Sequence, residues 1–165
     1  SSIRDYWSLR MRRNVLSVIN SFPWRLRGMA IKTVFYTAKY RWLLLHRPFK
    51  SFSGDLGELG SEPLSYSYTR EDPLLIYQIG QVVESVAGVT PWKSECLVQA
   101  FAAKKFLSKH EIPCNVFLGV CNSDSVNEPM LAHAWVKCGE LFVTGAEGYD
   151  KFTVTSVFRT ISRSG

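Results

Sequence analysis

SECLVQAFAAKKFLSKH (residues 94–110) and LAHAWVKC (residues 131–138) are the two stretches whose reading decides the fold. In the first, Leu97, Ala100, Phe101, Phe106 and Leu107 recur at helical spacing. Ser94 is the expected N-cap, and the helix should end near His110, ahead of Pro113. The second is apolar and short, and reads as a strand. Cys96 then opens a helix, where the dipole and the free backbone N–H groups push a thiol towards thiolate. An imidazole brought beside it from the sheet, that of His133, can act as base and proton carrier. This pairing points to thiol chemistry.

Outward from that pair, the period is extended downstream and helical upstream. Asn115–Val120, Leu131–Cys138, Leu141–Thr144 and Lys151–Phe158 read as strands, with a hairpin turn at residues 137–140. Asp72-Pro73 is a helix start with Asp as N-cap, followed by Leu74, Leu75, Tyr77, Ile79, Val82, Val83 and Val86 and stopped at Gly88. The segment 51–72 is acidic and rich in Gly and Ser, and reads as a linker with a short turn near residues 55–59. Before it, residues 3–21 and 24–46 read as basic, aromatic helices, the second stopped by Pro48. Helices first and an antiparallel sheet after them predict an α+β fold. The expected organisation is a basic helical subdomain (1–50), a linker (51–72) and a core (73–165).

The chain has 165 residues, 46% hydrophobic and 21% charged, so it can bury a core and is not of disordered type. Its net charge of +6 is unevenly spread. Residues 1–50 hold eleven Lys/Arg and the single acid Asp5, whereas residues 51–165 hold nine Lys/Arg and thirteen acids. The basic, aromatic front suits a docking face for an acidic partner, or contact with a membrane surface. No nucleic-acid motif accompanies it, and nucleic acid is not expected as a partner. Cys96, Cys114, Cys121 and Cys138 have neither C-x-x-C nor finger spacing, so no metal site is expected. The start SSIRDYWSLRMRRN lacks the apolar centre of a signal peptide, and no apolar run is long enough for a membrane span. Reduced thiols in a cytoplasmic protein are the expectation.

The order of motifs is more specific than any one of them. Glu95-Cys96-Leu97-Val98-Gln99-Ala100 opens a helix, Ile112-Pro113 leads to Val116-Phe117-Leu118-Gly119-Val120, then come Ala132-His133-Ala134-Trp135-Val136 with Gly139, and Gly145-Ala146-Glu147 before a last strand. This order resembles the transglutaminase-like (papain-like) cysteine peptidase core. More closely it resembles the leader peptidase of lasso peptide biosynthesis, the B protein. The helical text from Pro23-Trp24 to Pro48-Phe49 is similar to the front of these peptidases, so the resemblance covers roughly residues 22–158. It implies a cysteine peptidase that removes the leader from a ribosomally made precursor peptide. It also implies a separate leader-recognition (RRE-type) protein and an ATP-dependent cyclase that closes a macrolactam on the released core. No cofactor is implied.

Within that resemblance Cys96 is the nucleophile, with its own backbone N–H as an oxyanion donor, and His133 is the proton carrier. Such sites place an Asp beyond the His to orient it. Here that place falls at Val143, Thr144 or Gly145, so Glu147 of the G-A-E text is the carboxylate candidate and Asp150 the reserve. Without either, the site is a dyad, or a backbone carbonyl orients the imidazole. Trp135 shares the face of His133 and is expected to line the substrate groove or shield the pair, with core packing as the alternative. Cys138 faces away from His133 and belongs to the core, as buried cysteines commonly do. Two other readings use the same residues: a thiol acyltransferase, and a non-catalytic peptide-binding module.

Overall fold

A computed structural model describes residues 13–161. Four helices are followed in it: α1 (Val15–Ser21), α2 (Trp24–His46), α3 (Asp72–Ala87) and α4 (Cys96–Lys109). They pack on an antiparallel sheet of β1 (Glu58–Gly60), β2 (Asn115–Asn122), β3 (Met130–Cys138), β4 (Leu141–Thr144) and β5 (Thr153–Arg159). The strand order is β1-β5-β2-β3-β4. The fold is α+β, as expected.

Local chemistry explains most of the boundaries. Asn14 caps α1: its side-chain oxygen accepts the Ser17 N–H at 2.8 Å, and the Ser17 hydroxyl accepts the Asn14 N–H at 3.1 Å. The first half of the helix expected over residues 3–21 lies outside the described residues. Arg47, ahead of Pro48, is extended, and α2 stops there. In α3 the residue before the helix is Glu71, not Asp72. Asp72 is already helical and its carboxylate reaches back to the Thr69 N–H at 2.6 Å.

The first part of the stretch expected as a linker, to Gly60, forms regular structure, and residues 61–70 add no helix or strand. Turns at Phe49–Ser51 and Ser53–Leu56 bury Leu56 completely, and β1 adds a strand to the edge of the sheet beside β5. The Tyr66 and Tyr68 hydroxyls donate to the carbonyls of Cys114 and Pro113 at 3.3 and 3.0 Å.

One core joins the front of the chain to the rear. Tyr40 of α2 stacks on Phe101 of α4 with centroids 4.3 Å apart, and its hydroxyl donates to Asp55 at 2.6 Å. Phe52, Ile79, Val83, Val116, Ala134, Val136, Cys138 and Phe158 belong to the same cluster. α4 lies across the helix-facing side of β3, and that contact positions the site.

Candidate active site

Cys96 is the first helical residue of α4. The residue before it, Glu95, is extended and makes no side-chain cap. Ser94, the expected cap, instead shares a hydrogen bond with the Thr90 hydroxyl at 2.7 Å. The turn is tied by Gln99, whose side-chain amide donates to the Ser94 carbonyl at 2.8 Å. That leaves the N–H groups at the helix start without a side-chain acceptor, around the sulfur.

The N–H groups of Ala134, Leu97 and Cys96 favour the thiolate, but burial is the larger effect and raises the Cys96 pKa above the ordinary thiol value. The expectation of a thiol driven to thiolate by its helix is therefore corrected. Burial favours the thiol form of Cys96, against the backbone donors around the sulfur that favour its thiolate. One of those donors is the backbone of β3, at the residue directly after His133.

His133 is half-buried on β3, opposite Gly119 of β2. Its ring packs against Phe152 at 5.0 Å and Trp135 at 5.7 Å between centroids. Nε2 lies 2.8 Å from the carbonyl oxygen of Gly145. A carbonyl only accepts, so Nε2 carries a hydrogen and Nδ1 is the nitrogen left to take up or release a proton. The group that orients the imidazole is thus a main-chain carbonyl at the end of β4.

Gly145 is suited to that task by having no side chain. Its φ is +75°, and a Cβ there would run into the Ala134 carbonyl. Its own N–H donates to a carboxylate oxygen of Glu84, on α3, at 3.1 Å. Glu84 thereby pins the residue whose carbonyl holds His133. α3 can come this close to β4 because Gly80, one turn earlier, lies against the Val143 carbonyl, where a Cβ would clash.

Neither the carboxylate candidate Glu147 nor its reserve Asp150 orients His133. Glu147 and Asp150 are exposed and make no hydrogen bond with it. Left-handed glycines at 145 and 148 (φ +75° and +71°) turn the chain there, and Glu147 lies on the wall of a polar cavity beside the imidazole. Trp135 is 3% exposed, stacked on Phe117 at 5.6 Å and close to Tyr149. It forms the aromatic layer that backs His133, and no face of it opens to a groove. Strand alternation put both residues on one side of β3, but rings from β2 and the β4–β5 connection cover that side beyond His133. Cys114 and Cys138 are buried, and burial raises both thiols.

Two cavities meet at Cys96 and His133. One, of about 380 Å³, is mostly apolar and lies between α2, α4 and the sheet, with Leu44, Leu97, Leu118 and Val120 on its wall and Arg41 among its lining. The other, of about 560 Å³, is polar and is lined by Glu84, Ser94, Gln99 and Glu147. Cys96 and His133 belong to the walls of both. Among the described residues no cluster of His, Cys, Asp or Glu is arranged to hold a metal ion. None of the described helices is long and apolar enough to cross a membrane.

Gly145 and Gln99 stand in the quoted motifs, and Gly145 at the place where an orienting group was expected, but the roles of Gln99 and Glu84 were not read from the sequence. A positive φ is hinted at by any glycine before a turn, but nothing in the spacing links Glu84 to His133.

Residues 45–157 match the family described as the Transglutaminase-like superfamily, and the chain belongs to it. The superfamily includes cysteine peptidases and acyltransferases. No curated protein and no solved structure matches the chain.

Proposed function

We propose that this protein is a cysteine peptidase that removes the leader from a ribosomally made lasso peptide precursor. The observation that carries the chemistry is the placing of Cys96 and His133 on the shared wall of two cavities, with Nε2 held by Gly145 and Nδ1 unbonded among the described residues. The motif order from Glu95 to Glu147 supports the choice of a lasso precursor.

His133 Nδ1 takes the Cys96 proton as the sulfur attacks the scissile carbonyl. The tetrahedral oxyanion sits at the start of α4, where the Cys96 N–H is a donor. As the intermediate collapses, the C–N bond breaks and His133 gives its proton to the leaving amine. Water, activated by the same imidazole, then hydrolyses the thioester and restores the thiol. The leader-recognition protein presents the precursor, and the cyclase consumes the released core.

The test is cleavage of a lasso-type precursor in the presence of its leader-recognition protein, read by product mass. Wild type should yield free leader and core, and Cys96→Ala should yield neither while still binding precursor. Undiminished cleavage by Cys96→Ala excludes the mechanism. A leader joined to an added amine rather than to water would identify an acyltransferase. The raised thiol and the lack of a carboxylate on His133 among the described residues also suit a binding module without turnover, in which case the precursor stays intact with both proteins.

A further inference from the structure

The face of α2 opposite the core is apolar and exposed. Trp24, Ile31, Phe35, Trp42 and Leu45 are 47–78% exposed. At about 100° per residue these five fall within an arc of roughly 80°, in one line along the helix. The buried residues Ala30, Thr33, Thr37 and Tyr40 occupy the other side. The helix has 23 residues, so the stripe runs about 30 Å, with a tryptophan near each end. Exposed apolar patches of this extent mark interaction sites.

Cations border the stripe on both sides: Arg27 and Arg41 on one, Arg25, Lys32 and Lys39 on the other. No acid occurs anywhere between Asp5 and Asp55. Arg41 makes no ion pair within 4.0 Å among the described residues, and neither do Arg25 or Lys39.

We propose that this face of α2 rests on an anionic lipid surface. A straight apolar line with aromatic rings near its ends seats at the headgroup boundary of a flat bilayer. The stems of Arg25, Lys32 and Lys39 on one side and of Arg41 on the other reach lipid phosphates while their methylenes stay in apolar contact, whereas the Arg27 guanidinium is bonded to the carbonyls of Phe22 and Asn20. Cations on both sides along the helix suit a plane of negative charge better than they suit one acidic patch on a folded partner. The helix lies on such a surface and does not cross it, in keeping with its hydropathy. Leu44 and Arg41 of the same helix line the apolar cavity at Cys96, so that cavity opens beside the docked face.

The test is co-sedimentation of the full chain with vesicles of phosphatidylcholine alone and of phosphatidylcholine with phosphatidylglycerol, at low and high salt. Binding should require phosphatidylglycerol and fall with salt. The double substitution Phe35→Ser/Trp42→Ser should weaken it at least about tenfold. Neither side chain belongs to the core, and a circular dichroism melt checks that the fold is kept. Arg25→Gln/Lys39→Gln leaves the apolar line intact and should weaken binding severalfold, which keeps the test valid if the first variant misfolds. Failure of the folded wild type to pellet with phosphatidylglycerol vesicles overturns the proposal. So does a dimer that Phe35→Ser/Trp42→Ser dissolves, because a second copy then covers the stripe. Vesicle binding unchanged by both variants, with loss of engagement of the leader-recognition protein, assigns the face to that protein instead.

Discussion

Cys96 carries two opposing influences. Burial raises its pKa, and three backbone N–H groups lower it, with burial the greater. A raised pKa means that the thiolate fraction of the free protein grows only as pH climbs past the ordinary thiol range. Alkylation of Cys96 by iodoacetamide should therefore be slow at neutral pH and accelerate in alkaline solution, following the thiolate. Peptide mapping after timed alkylation from pH 6 to pH 10 reads this directly. A rate already at its plateau at neutral pH would show a resting thiolate, and would place His133 as an imidazolium partner instead of a base. At His133 the sequence left carboxylate and carbonyl open, and the geometry has the Gly145 carbonyl on Nε2. Periodicity could not show this, because a main-chain acceptor has no residue type.

α3 reaches the site through close packing. Its Gly80 admits the backbone of β4, and one turn later Glu84 bonds the Gly145 N–H. The effect on His133 is positional: the Gly145 N–H and carbonyl belong to different peptide units, so Glu84 fixes the residue's place without polarising that carbonyl. Glu84→Ala should lower kcat by about tenfold with KM little changed, in line with the lower end of the roughly 1.5–3 kcal/mol of a hydrogen bond to a charged group. Glu84→Gln keeps an acceptor oxygen and should recover most of the rate. Equal loss in both variants, or a change confined to KM, would remove Glu84 from the positioning of His133. Helix and strand boundaries were largely readable from periodicity, Pro48 and Pro113. β1 was not, because three residues become a strand only through pairing with β5, where Glu58 also meets Arg159 at 3.7 Å.

Among the described residues the larger core cluster runs from Tyr40 to Phe158, and a smaller one of Val18, Ala30, Val82 and Val86 packs α1 and α2 against α3. Composition divides the chain at residues 50 and 72, following charge and glycine content. Packing crosses both places: Leu56 is fully buried, and the Tyr66 and Tyr68 hydroxyls bond the segment ahead of β2. Urea unfolding followed by tryptophan fluorescence and by far-ultraviolet circular dichroism should accordingly give one coincident transition. Two separated transitions would mean that the basic helices unfold apart from the sheet.

By itself the sequence determined the α+β class, the helix that begins at Cys96, the strand that carries His133 and the basic character of the front. These follow from local period, capping chemistry and charge, which act over a few residues. The tertiary structure decided the rest: the carbonyl on His133, the Glu84 anchor behind it, the burial that raises the thiol and the closing of Trp135 behind aromatic rings. Each depends on groups far apart in the chain, Glu84 and Gly145 among them, whose approach is set by how α3 and α4 pack on the sheet. Local sequence rules carry no information about such approaches.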